Sequence, residues 1–172
     1  GLGEVVFAAE AGRPSAVRER LLEYELSGEF AISTGGETRT VRLRGKADRV
    51  DLLEEGRFRL IDYKNGSAPK PAQTIQLPIY AVCVRQQLRR TRGEDWEPAE
   101  AAYLAFGDRK PFHVAVDDGP KGVEALADGQ RRLLDAIDQI ERGSFPPRPF
   151  SKRICGYCPY ASVCRKDYVD GE

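Results

Sequence analysis

Residues 38–64, TRTVRLRGKADRVDLLEEGRFRLIDYK, constrain the fold more than any other stretch of this chain. Two β-rich runs flank a short Glu-Glu-Gly break, the pattern of an antiparallel hairpin. Side chains two apart on a strand share a face, so Asp62 and Lys64 point the same way as Phe58 and Leu60. Opposite charges thus end an otherwise apolar strand face, where a charge is costly without a partner. The hairpin also brings Asp48, on the preceding strand, towards Asp62.

The remaining pattern places further elements around this hairpin. Ser15 is positioned to cap a helix through residues 16–26, with Val17, Leu21 and Leu22 on one face. A first strand is expected at 25–33, ended by the TGGET turn, and Gly45 marks a bulge or a close backbone approach. After the loop NGSAPKP, residues 73–90 predict a helix with Pro78 in its first turn or at a kink. AEAAYLAFG and PFHVAVD predict two more strands, and 122–143 an amphipathic helix stopped by Gly143. The fold class is therefore α/β, a mixed sheet of about five strands with helices on its faces.

With 172 residues the chain suits one core, and 27 basic against 27 acidic residues remove net basicity as an argument for nucleic acid. No stretch approaches the ~18 apolar residues of a membrane span, and no leader pattern opens the chain, which points to a cytoplasmic setting. The absence of methionine and the Gly-Leu-Gly start suggest a piece of a larger protein.

An Asp–Lys pair in isolation is most simply a surface ion pair of little worth. Two carboxylates converging on one lysine, however, match the needs of metal-assisted phosphodiester cleavage. Hard oxygens hold Mg2+, the metal polarises phosphate and acidifies a bound water, and the lysine orients that water and offsets developing charge. The Tyr63 carbonyl is a further candidate ligand.

The run GKADRVD (45–51), then IDYKNG (61–66), then Gln76 and Tyr80 at i and i+4, resembles the RecB-like branch of the PD-(D/E)XK nucleases. That resemblance implies a restriction-endonuclease-like core at 1–147 and a cysteine-containing tail at 148–172. It implies Asp48 and Asp62 as ligands of Mg2+ (or Mn2+), Lys64 as the catalytic lysine, and Gln76 and Tyr80 bordering the site. An acid on the preceding strand is implied too, with Glu25 the first candidate and Glu23 the second. Such members often carry a histidine on the first helix; none stands there, so either the ligand lies upstream of Gly1, or Glu19 or Glu23 replaces it, or metal binding is weakened. Arg49 is expected to pair with Asp51 or Glu25 or to meet phosphate, and His113 to be a strand or surface histidine.

Three of the four cysteines, Cys155, Cys158 and Cys164, are spaced so that they can converge on one metal centre completed from elsewhere. The resemblance implies a [4Fe–4S] cluster in the intact protein, zinc being the alternative, and leaves Cys83 as a core thiol. Basic residues Arg85, Arg89, Arg90 and Arg92, and in the tail Arg148, Lys152, Arg153, Arg165 and Lys166, are candidates for DNA phosphates or for a solvated face. Tyr157 and Tyr160 either stack on bases or pack around the cysteines. The implied function is a Mg2+-dependent deoxyribonuclease, an exonuclease domain of a helicase–nuclease system in recombinational repair, with DNA and a helicase as partners. A catalytically silent DNA-binding module of the same fold is the alternative.

Overall fold

A computed structural model describes residues 2–12, 16–146, 149 and 152–164. Helix α1 (Leu2–Ala11) precedes three antiparallel strands, β1 (Val17–Thr34), β2 (Glu37–Leu53) and β3 (Arg57–Lys64). A short 3-10 turn at Pro71–Gln73 leads into α2 (Gln76–Arg92), followed by β4 (Glu97–Ala105), β5 (Phe112–Asp117) and α3 (Pro120–Glu141). The strands form one five-stranded sheet in the order β1-β2-β3-β4-β5. The β3–β4 pair is parallel and the others antiparallel, which is the mixed sheet expected. A parallel pair needs a crossover, and α2 supplies it.

Residues 17–26 depart from expectation. They are strand rather than a Ser15-capped helix, and Ser15 itself lies outside the described residues. The helical spacing of Val17, Leu21 and Leu22 is overridden because β2 offers a partner along the whole length, from Val17 opposite Leu53 to Thr34 opposite Glu37. Leu22 is left 63% exposed, whereas Leu26, Phe30 and Ile32 are buried. At the break in pattern Glu23 adopts φ 51°, uncommon for a residue with a side chain.

β1 is an edge strand, and its open backbone groups are met by side chains. The Gln86 amide accepts from Ala31 N–H at 2.8 Å and donates to Ala31 O at 2.7 Å. Gln87 does the same for Ser27 N–H and Glu25 O, and Arg90 donates to Glu29 O at 2.8 Å. Helix α2 thus closes an edge that would otherwise invite another strand.

The tight turn after β2 uses Glu55 at φ 59° and Gly56 at φ 65°. β3 occupies the residues expected, and Phe58, Leu60 and Ile61 are buried. Pro78 stands in the first turn of α2, where its missing N–H leaves no gap. Gly45 is a close approach rather than a bulge: a Cβ there would lie 2.9 Å from the Tyr80 hydroxyl, and the β1–β2 register shifts only between Val17 and Glu19.

The chain divides into two compact units, residues 1–133 and 134–172. The second contains the end of α3, where Gly143 at φ 66° donates its N–H to Ile140 O, and a one-turn helix α4 (Lys152–Cys155). No helix among the described residues is long and apolar enough to cross a membrane.

Candidate active site

β2 and β3 pair with Arg49 opposite Ile61, and one further step in that register sets Asp48 opposite Asp62. Opposed residues share a face. Asp48 Oδ2 accepts the Tyr63 N–H at 2.9 Å, so the strands stay tied where backbone pairing ends. In an extended strand the N–H and C=O of one residue turn to the same neighbour, so the Tyr63 carbonyl faces the Asp48 side as well.

Asp62 is only 4% exposed. Its Oδ1 accepts from Gln76 Nε2 at 2.7 Å, while Lys64 Nζ donates to Gln76 Oε1 at 3.1 Å. One amide, on the first residue of α2, therefore serves the carboxylate with its nitrogen and the ammonium with its oxygen. Thr74 positions that residue, its hydroxyl accepting the Gln76 N–H at 3.1 Å in a local turn just ahead of the helix. Asp62 Oδ2 is met by the Lys64 ammonium at 2.6 Å, a charge-assisted contact that works to lower the carboxyl pKa. Lys64 Nζ is also 5.4 Å from the centre of the Tyr103 ring, which suits a cation over an aromatic face.

Burial raises the Asp62 pKa above the ordinary carboxylate value; Lys64 and Gln76 oppose that rise and the Asp48 charge adds to it. Two carboxylates on one face, with a single ammonium to offset them and burial disfavouring the charge of one, make a place where a further cation would be welcome. Mg2+ commonly uses one or two carboxylates together with water and phosphate oxygens. Asp48, Asp62 and the Tyr63 carbonyl fit that requirement, although no three His, Cys, Asp or Glu side chains among the described residues group as a metal site.

Behind the carboxylates, Arg49 is 2% exposed. It forks onto Asp51 and also onto Glu10 of α1, the latter at 2.9 Å through each terminal nitrogen. Arg49 Nη1 reaches the Tyr63 hydroxyl at 3.3 Å, and Arg20 Nε adds a 2.8 Å bond to Asp51. Burial works against the charged guanidinium, but these hydrogen bonds outweigh it and hold the Arg49 pKa above its ordinary value. Arg49 thus pairs with Asp51, one of the expected partners. Glu10 was not anticipated; an acid on a helix before the sheet is too common to signal this role.

The other expected site residues make contacts of their own. Tyr80 lies against Gly45. Glu25 is exposed and opposite Lys46, and no described hydrogen bond or ion pair joins its carboxylate to Asp48, Asp62 or Lys64. Glu23 pairs with Lys46, and Glu19 takes two 2.8 Å bonds from Arg92. Arg85 pairs with Glu97 at 3.4 Å and Arg89 with Asp95 at 3.2 Å, while Arg90 lies over the Phe30 ring at 4.8 Å. The α2 arginines are thus engaged with the protein itself. His113, on β5, is 2.8 Å from Asp108.

Cys83 is buried in α2, as a core thiol should be, and burial pushes its pKa up to about 12. In the second unit Cys155, Cys158 and Cys164 are free thiols, half-exposed, and form no three-ligand metal group. Tyr157 and Tyr160 are 92% and 69% exposed rather than packed around them. Arg153 is exposed; Arg148, Arg165, Lys166 and the Lys152 side chain lie outside the described residues.

Among solved structures, the one titled "Crystal structure of SSO0001" is similar over 95% of this chain and 69% of that chain, at 18% identity and a TM-score of 0.40. No curated protein matches the sequence. The sequence does match the PD-(D/E)XK nuclease superfamily over residues 3–165. Because that match runs through both strands and the helix that assemble Asp48, Asp62, Lys64 and Gln76, the chain belongs to the PD-(D/E)XK nuclease superfamily.

Proposed function

We propose that this chain is a Mg2+-dependent deoxyribonuclease domain in which Asp48 and Asp62 hold the metal and Lys64 acts on the reacting phosphate. The observation that carries this reading is the Gln76 bridge, which holds a buried carboxylate and an ammonium at 2.7 and 3.1 Å beside a second carboxylate. When bound, Mg2+ supplies Lewis-acid polarisation of the phosphate and a water of lowered pKa. Lys64, 31% exposed at its side chain, is accessible enough to meet a phosphate oxygen or orient the attacking water, and its positive charge offsets the negative charge that develops. Gln76 keeps the two charged groups in register, so they need not reorganise during the reaction.

Exonucleolytic action within a helicase–nuclease system for recombinational repair is the finer form of this proposal. Its support is the order GKADRVD, IDYKNG and Gln76 with Tyr80, shared with the RecB-like branch. A [4Fe–4S] cluster on Cys155, Cys158 and Cys164 in the intact protein belongs to the same proposal; its support is their spacing together with the resemblance to the RecB-like branch. Arg85, Arg89, Arg90, Lys152 and Arg153 are the candidate phosphate contacts of this reading.

Labelled single- and double-stranded DNA incubated with Mg2+, Mn2+ or EDTA tests the activity. Cleavage with either metal, abolished by EDTA and by Asp62→Ala and Lys64→Ala, supports it. Cleavage that survives both substitutions assigns the chemistry elsewhere. DNA binding without cleavage in either metal favours a silent module of the same fold.

A further inference from the structure

A pocket of about 730 Å3 opens among the 68–74 loop, β5 and the first half of α3. Pro69, Pro71, Val114 and Ala125 give it mainly apolar walls. Thr74 and Tyr103 bring polar groups, their hydroxyls 3.3 Å apart. The pocket adjoins the candidate site through Tyr103, which is opposite Asp62 in the β3–β4 register and whose ring lies 5.4 Å from Lys64 Nζ. Gln76 and the pocket share Thr74, whose hydroxyl accepts the Gln76 N–H.

The rim carries Lys70, Arg132 and Asp128. Lys70 is exposed there, and Arg132 donates to Pro71 O at 3.0 Å and Thr74 O at 3.3 Å, fixing the loop that forms one wall. The Asp128 carboxylate is met by Arg131 at 2.6 Å and Arg132 at 3.6 Å, so it does not cancel Lys70. Apolar walls with a few hydroxyl groups and a cationic lip suit a flat heteroaromatic ring attached to a phosphodiester.

We infer that this pocket holds a nucleobase of the substrate strand, next to the phosphate at Lys64. The inference rests on the nuclease reading and deepens it: a strand held by a base beside the cut must present unpaired nucleotides, so single-stranded DNA is the substrate class. Lys70 meets a backbone phosphate outside the pocket. Ala125, on the α3 wall and half-buried, has no part in the Asp48, Asp62 and Lys64 cluster.

Binding separates this inference from catalysis. The full chain is titrated, in Ca2+ to avoid turnover, with fluorescent oligothymidylate and with an abasic oligonucleotide of equal length and charge. The wild type should prefer oligothymidylate by about tenfold, the scale of one base–side-chain contact. Ala125→Trp, which puts a bulky ring into the pocket from its α3 wall, should remove the preference while leaving abasic binding and the melting temperature unchanged. Ala125→Ser should keep it. Lys70→Glu should weaken both ligands alike and lower the salt dependence by about one phosphate contact. Equal wild-type affinity for the two oligonucleotides, or a preference that survives a folded Ala125→Trp, overturns the inference. Absence of cleavage in parallel Mg2+ assays, with the preference intact, overturns only the nuclease reading.

Discussion

Arg49 Nη1 donates to the Tyr63 hydroxyl at 3.3 Å, joining the two residues that directly follow the opposed carboxylates Asp48 and Asp62. Strand alternation sends Arg49 and Tyr63 to the face behind the site, so a buried ionic cluster there sets the geometry of two strands in front. Glu10 and Asp51 complete the cluster. Removing one member of a buried ionic group leaves the others unpaired, which is the costly case.

Arg49→Met should therefore destabilise the fold by roughly 3–5 kcal/mol, read from denaturant unfolding. Tyr63→Phe, which loses one long hydrogen bond, should cost about 1 kcal/mol or less. The cluster also fixes an acid limit. Arg49 holds the Glu10 pKa low; for Asp51, burial pushes upward but Arg49 and Arg20 prevail and lower it. The stabilisation is present above the ordinary carboxylate range and is lost as pH falls through the lowered folded values. Arg49→Met should flatten that acid limb.

Gln76→Leu should lower cleavage by on the order of ten- to a hundredfold, because Asp62 loses a donor and Lys64 an acceptor. Losing the donor should also raise the Asp62 pKa further, so the acid limb of the pH–rate profile should move to higher pH. A uniform fall in rate with no movement of that limb would argue against the bridge.

Asp62 has the opposite linkage to Asp51. Its folded pKa is raised by burial, so the folded state holds that proton more tightly than the unfolded chain does. This favourable contribution is present at pH below the ordinary carboxylate value and disappears as pH rises through the raised folded value. Asp62→Asn should thus be more stable than wild type at neutral pH, with the gap closing in acid. Added Mg2+ or Mn2+ should raise the melting temperature of the wild type, and this response should vanish in Asp62→Asn and Asp48→Asn.

Gly45→Ala should cost about 1–3 kcal/mol, since its Cβ would stand 2.9 Å from the Tyr80 hydroxyl and 3.2 Å from the ring. Combining it with Tyr80→Ala should recover part of that loss. Strict additivity of the two changes in thermal melts would contradict the contact.

In iron- and zinc-free protein, thiol alkylation followed by mass spectrometry should modify Cys155, Cys158 and Cys164 readily and Cys83 only on unfolding. The first three are half-exposed, whereas Cys83 is buried with its thiol pushed up to about 12.

Sequence alone determined what depends on neighbours along the chain. The period of two put Asp62 and Lys64 on one face of β3, and the Glu-Glu-Gly turn laid β3 alongside β2; whether Pro78 stood in the first turn of α2 or at a kink was left to the structure, which put it in the first turn. These are local consequences of backbone geometry. Tertiary structure decided whatever depended on partners far along the chain. Residues 17–26 became strand because β2 was there to pair with them, and the α2 arginines found acids or carbonyls on distant elements. Glu10 reached Arg49, 39 residues away, and Gln76 settled between Asp62 and Lys64. Local propensity is worth a fraction of a kcal/mol per residue, so pairing and burial across the fold outweigh it wherever they disagree.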